Sequence, residues 1–169
     1  FMIKIAIKEL AYFTCQSGNL TPEFFSNKDE TIGKKAHQYV QSRYNKNSIS
    51  EYFIKKEFTY NNKEIRLQGF IDGVLNIDDE IIIEEIKSTN KELDEINYDE
   101  RKEYLAQAKL YAYIYCTNKN LRNISIQLTY IHADSKEEKH FLYSFNYDEL
   151  NDFYLDQLNL FYHFYFYCF

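Results

Sequence analysis

The rhythm of apolar and polar positions changes several times along the chain, and each change marks an element. IKELAYFT (residues 7–14) repeats apolar residues at helical spacing. DETIGKKAHQYVQSRY (29–44) opens with acids and closes near Arg43, predicting a second helix, with SGNLTPEF as the loop between them. The period then shortens: EYFIKKEFTY (51–60) and EIRLQGFIDGVLNI (64–77) read as strands joined by a hairpin turn at NNK. A second short turn, DDE at 78–80, leads into a third strand, IIIEEIKS. Residues 97–116 form the clearest helix, with Asn97 and Glu100 at capping-box separation. After TNKN, ISIQLTYIH and KHFLYSFNY alternate like half-buried strands, and from Asp148 the pattern returns to helix and ends in FYHFYFYCF. The order helix, helix, three strands, helix, two strands, helix predicts one mixed α/β domain over residues 1–169, without internal repeats or a long linker.

Composition agrees with a folded domain: 45% of the residues are hydrophobic, while Gly and Pro are scarce. The net charge of -6 argues against a protein that holds nucleic acid by bulk electrostatics, but not against an enzyme whose acidic site takes a cation. Cys15, Cys116 and Cys168 are widely spaced and odd in number, giving neither a disulfide framework nor a zinc site and suggesting a reducing, cytoplasmic setting. The N-terminal FMIKIAIKEL carries two lysines in a short apolar run, unlike a secretory signal, and no uncharged apolar run is long enough to span a membrane.

One strand pair interrupts its apolar pattern with charge. On the third strand Glu85 and Lys87 share a face with Ile81 and Ile83, while Glu84 and Ile86 take the other. Asp72 lies on the preceding strand, and a tight turn at Asp78 and Asp79 brings it near Glu85 without fixing whether the two are directly opposite. Two carboxylates converging in an apolar setting repel each other unless a cation stands between them. Hard oxygen ligands suit Mg2+ or Mn2+ better than zinc. Lys87 can then stabilise charge on a phosphoryl group or orient an attacking water.

The pattern Asp72 followed by Glu85-Ile86-Lys87 resembles the PD-(D/E)XK nuclease signature, and GFIDG resembles the form it takes in the RecB-like branch. QAKLY places Gln107 and Tyr111 on one helical face, similar to the Q-x-x-x-Y of that branch, and GKKAH supplies Gly33 and His37 where the branch carries a metal-binding histidine. Most of the chain, about residues 3–147, looks like the nuclease-like domain at the N-terminus of bacterial DinG/XPD-type helicases. The resemblance implies a restriction-endonuclease-like α/β fold, a central mixed sheet flanked by helices, and hydrolysis of DNA phosphodiesters. It further implies Asp72, Glu85 and His37 as ligands of Mg2+ or Mn2+, Lys87 as the catalytic cation, and Gln107 and Tyr111 as orienting groups. The implied partners are single-stranded or end-containing duplex DNA and a helicase motor in the same or a neighbouring chain. No Walker A sequence is present, so the chain is expected to be either a part of a longer helicase or a nuclease working alone. The four cysteines that hold an iron–sulfur cluster in some relatives are not matched, and no cluster is expected.

Each assignment has a plainer alternative. His37 can be a surface or hydrogen-bonded core histidine, Asp72-Gly73 a turn, and Glu85 with Lys87 an exposed ion pair. Gln107 and Tyr111 can be ordinary helix residues, and Glu84 replaces Glu85 if the register slips by one. The aromatic tail reads as an amphipathic helix packed on the domain. At the level of function, the alternatives to a nuclease are a catalytically silent DNA-binding or docking module of a helicase and a regulatory domain that contacts only protein.

Overall fold

The computed structural model describes residues 1–15, 27–97 and 102–167. Its elements are strand β1 (Met2–Ala6), helix α1 (Ile7–Cys15), helix α2 (Asn27–Gln41), strands β2 (Ile49–Tyr60), β3 (Lys63–Ile77) and β4 (Glu80–Thr89), a short 3-10 turn (Leu93–Glu95), helix α3 (Lys102–Lys119), strands β5 (Asn123–His132) and β6 (Glu138–Asn146), and helix α4 (Tyr147–Tyr167). The predicted order stands, with one addition. MIKIA alternates too briefly to be told from the start of the helix that follows, yet it forms a strand parallel to β3. The loop read at SGNLTPEF lies outside the described residues, as does Glu100 of the capping box read with Asn97. The same tetrapeptide, NYDE, recurs at 146–149, and there Asn146 caps the helix and Glu149 reaches back to its side-chain amide. Glu149 donates its backbone N–H to Asn146 Oδ1 at 2.8 Å, and Asn146 Nδ2 donates to Glu149 Oε1 at 2.6 Å, starting α4 directly at the end of β6.

The β2–β3 and β3–β4 hairpins each turn on two residues in left-handed conformation, Asn61 and Asn62 (φ 46° and 62°) and Asp78 and Asp79 (φ 51° and 65°). Asn and Asp adopt this conformation at little cost, and such turns match the right-handed twist of the strands they join. The turns therefore fix register: Tyr60 pairs with Lys63, and Ile77 with Glu80.

The sheet runs β1-β3-β4-β5-β6, with β2 also paired to β3. β1 with β3 and β4 with β5 are parallel, and the other pairs antiparallel, so the sheet is mixed. β3 organises it. One edge of β3 carries β2 along its length, while the other is shared: β1 pairs with Glu64–Gln68 and β4 with Gly73–Ile77. Gly69 to Asp72 fall in the fork between those two strands.

Helices cover both faces. Leu10 of α1, Leu110 and Ile114 of α3 and Leu158 of α4 join Ile65, Leu67, Ile83 and Ile126 in the main core, with the Tyr113 and Tyr154 rings stacked at 4.3 Å. The predicted packing of the aromatic tail is seen in Phe161, which is buried and meets Phe13 edge-on at 5.5 Å. On the opposite face α2 lays Ala36 and Val40 against Ile86 and Ile131. Among the described residues no helix is long and apolar enough to cross a membrane.

Candidate active site

The fork in β3 gathers the chemistry. Because both hairpins close on two-residue turns, register can be carried from the turns to the fork. Ser50 pairs with Gly73 and Tyr52 with Ile71, which sets Glu51 across from Asp72. On the other side the ladder ends with Gly73 paired to Glu84, so Asp72 and Glu85 are the first residues beyond it. Three strands thus each bring a carboxylate to the fork.

Regular pairing stops there for identifiable reasons. Glu51 holds φ 51°, a left-handed conformation that costs a residue other than Gly, Asn or Asp about 1 kcal/mol or more. Ile71 and Val74 both enter the main core although strict alternation would send them to opposite faces, so the pleat is broken around Asp72. The strands part, and the backbone N–H of Ile86 donates to Asp72 Oδ2 at 2.7 Å instead of to a neighbouring strand. A side-chain carboxylate has taken the place of a ladder carbonyl.

Two glycines of GFIDG make room for tyrosines. A Cβ on Gly73 would lie 2.1 Å from the Tyr44 hydroxyl, and one on Gly69 would lie 2.8 Å from the Tyr111 hydroxyl. Tyr111 accepts a hydrogen bond from Gln107 Nε2 at 3.2 Å, one turn earlier on α3. Both are buried, and burial, with Glu85 adding, pushes the Tyr111 hydroxyl well above its ordinary pKa. It stays protonated.

From α2, His37 brings Nδ1 to 3.4 Å from Asp72 Oδ1. Burial opposes the imidazolium, but the hydrogen bond and charge of Asp72 outweigh it, so the His37 pKa is raised. Gln41, one turn later, spans two strands: its Nε2 donates to Glu51 Oε1 at 2.8 Å and to the Asp72 carbonyl at 2.9 Å. Donor atoms of His37, Glu51 and Asp72 lie within 4.8 Å of one another.

Glu85 and Lys87 close the site from the α3 face, with Lys87 Nζ 3.0 Å from Glu85 Oε1 and 4.5 Å above the Tyr104 ring. Burial first, then Asp72, pushes the Glu85 carboxyl up to about 7, although Lys87 pulls the other way. Burial alone would depress Lys87; Glu85 and Asp72 reverse this and raise it. One ammonium against three carboxylates leaves an excess of negative charge. That excess and the donor set, carboxylate oxygens with one imidazole, fit a hard divalent ion.

Of the residues singled out from the sequence, His37, Asp72, Glu85, Lys87, Gln107 and Tyr111 lie at or beside the fork, but among the described residues the donors close enough to share one ion are His37, Asp72 and Glu51; Glu85, expected as a ligand, is outside that group and pairs with Lys87 instead. Glu84, the alternative ligand, faces the other way, accepting from Tyr44 Oη at 2.5 Å and from Gln127 Nε2 and Thr129 Oγ1 at 2.7 Å each. Glu51 and Gln41 were not singled out. No motif marks Glu51, but counting back from the NN turn would have found it opposite Asp72.

Residues 8–159 match the family model of the PD-(D/E)XK nuclease superfamily, and the chain belongs to that superfamily. None of the curated proteins compared with the chain matches it. Among solved structures it is similar to the crystal structure of SSO0001, with a TM-score of 0.59 at 16% identity over 93% of this chain and 75% of that one, a likeness of fold. The fold is restriction-endonuclease-like. Membership implies metal-dependent nuclease chemistry and DNA as the ligand, and the His37, Glu51 and Asp72 cluster provides donors for the metal.

Proposed function

We propose that the chain is a Mg2+- or Mn2+-dependent deoxyribonuclease of the RecB-like kind, cutting DNA phosphodiesters from an end and serving recombination or repair. The observation that carries this reading is the fork itself. Asp72 is anchored on the Ile86 N–H between His37 and Glu51 on one side and the buried Glu85–Lys87 pair on the other.

In this reading Asp72 and Glu85 hold the ion, with His37 as a further ligand and Glu51 opposite. Bound there, a divalent cation lends positive charge to a phosphoryl oxygen and acidifies a water. The chain's own groups do the rest. Lys87, kept charged by Glu85 and Asp72, faces the charge that develops on the phosphoryl group and orients the attacking water. Tyr111 retains its proton and accepts from Gln107, so its hydroxyl hydrogen is directed away from the amide, toward the site. The pair orients the substrate strand or the carboxylates.

The resemblance read in the sequence to the nuclease-like region of DinG/XPD-type helicases motivates a wider proposal, that this single domain acts beside a helicase motor. Incubation of the purified protein with 5′- and 3′-labelled DNA and Mn2+ tests the reaction. Products released stepwise from one end support it. DNA bound but uncut with both Mg2+ and Mn2+ would instead leave a silent docking module.

A further inference from the structure

The β2–β3 hairpin turns alternate residues outward, and the outward pairs next to the site form a series. Glu51 faces Asp72; the next outward pair is Phe53 with Phe70, and the next Lys55 with Gln68. Phe53 and Phe70 keep 47% and 57% of their surface exposed, and their rings touch at a centroid distance of 5.2 Å, tilted by 55°. Their neighbours Tyr52 and Ile54 point the other way, toward the core. One outward step along a strand is about 7 Å, so the aromatic pair stands immediately beside the carboxylates.

We propose that Phe53 and Phe70 are a stacking platform for an unpaired base flanking the phosphate held at Asp72 and Glu85, and that the substrate strand is single-stranded there. The proposal rests on the nuclease reading of the site and names its substrate. Carboxylates, aromatic faces and the amine of Lys55, which is exposed, lies 3.4 Å from Glu57 Oε1 and shares that oxygen with Arg66, succeed one another along the hairpin in the order a polynucleotide presents a scissile phosphate, a base and another phosphate. An acidic chain has little bulk attraction for DNA, so stacking is the contribution open to it. Bases inside a duplex are stacked on each other and shielded, whereas a frayed end or a single strand exposes its base faces. An exposed cross-strand aromatic pair also steadies a hairpin, so the test must separate binding from folding.

The chain has no tryptophan, so Phe70→Trp introduces a single tryptophan at the platform, excited selectively over the tyrosines at the red edge of its absorption. Without metal, to prevent cutting, titration with a short oligothymidylate should quench its emission, and a blunt duplex of equal length should not. The double variant Phe53→Leu with Phe70→Leu keeps apolar side chains but removes the rings. It should bind the oligothymidylate roughly tenfold or more weakly, with the native circular dichroism spectrum and Mn2+ affinity kept and only the small fall in melting temperature that loss of one cross-strand pair brings. Equal affinity of the Leu variant, or quenching by duplex as strong as by single strand, overturns the proposal. A changed sedimentation coefficient with unchanged DNA affinity also overturns it, in favour of self-association. Hydrolysis of bis(p-nitrophenyl) phosphate by the parent protein with Mn2+ reports on the nuclease reading independently of DNA binding. If the parent leaves that ester intact while the oligothymidylate still binds through the rings, the platform stands and only the nuclease reading fails.

Discussion

Glu84 and Glu85 are neighbours on one strand, and both are 2% exposed, yet they live in different chemistry. Glu84 turns toward α2 and is surrounded by neutral donors, two hydroxyls and an amide, which satisfy its oxygens without another charge. Glu85 turns toward α3 and meets charge on every side, with Lys87 in contact and Asp72 and His37 close enough to shift its titration. A buried carboxylate enclosed by donors is finished; it holds β4, β5 and the end of α2 together. One that is crowded by other carboxylates is incomplete, and a divalent ion would complete it. Strand alternation alone assigns the two roles.

Substitutions at the two glutamates' surroundings should therefore fail in different ways. Asp72→Asn and Lys87→Ala should each lower cleavage by about a hundredfold or more while circular dichroism and melting remain close to the parent. Cleavage unchanged in both would remove the assignment. Glu84→Ala removes the acceptor shared by the half-buried Tyr44 and Gln127 and the fully buried Thr129, and should cost about 1–3 kcal/mol in urea unfolding, with cleavage retained under native conditions. A stability equal to the parent's would show that the Glu84 network does not carry load. A smaller effect is expected at Glu51→Gln, which weakens one side of the cation site; calorimetry should show Mn2+ bound about tenfold more weakly, and an unchanged isotherm would exclude Glu51 from the site.

The smallest effect is a slope with pH. The Glu85 carboxyl is raised from 4.5 to about 7, so between those values the folded protein holds a proton that the unfolded chain has released. Its contribution is fully present below 4.5 and is lost as pH rises toward 7; His37, also raised, loses its contribution in the same direction. Metal-free protein should melt lower at pH 7 than at pH 5. Saturating Mn2+ should flatten or reverse that trend, because the ion binds the deprotonated ligands. A metal-free slope of opposite sign would mean that Glu85 is stabilised as a carboxylate, as Glu84 is.

Much of this was legible in the residues, and what was not has specific causes. The NN and DD turns announced both hairpins because few residues accept the left-handed conformation cheaply, and alternation then separated Glu84 from Glu85. Asp72, Glu85 and Lys87 are close in sequence and stand on adjoining strands, so their convergence needed only those turns. β1 was hidden because five residues running straight into a helix carry too short a pattern. Glu51 was hidden because nothing about an exposed acid at the start of a strand distinguishes it; its role depends on register and on a break in the pleat. Gln41 joins two strands through one amide nitrogen, an arrangement no spacing announces.

The most direct measurement is an anomalous difference map from crystals soaked in Mn2+. The account requires a peak at the fork, within coordination distance of Asp72 and Glu85 and with His37 or Glu51 beside it. A map without a peak there at saturating Mn2+, or with its strongest peak on surface carboxylates elsewhere, would contradict it.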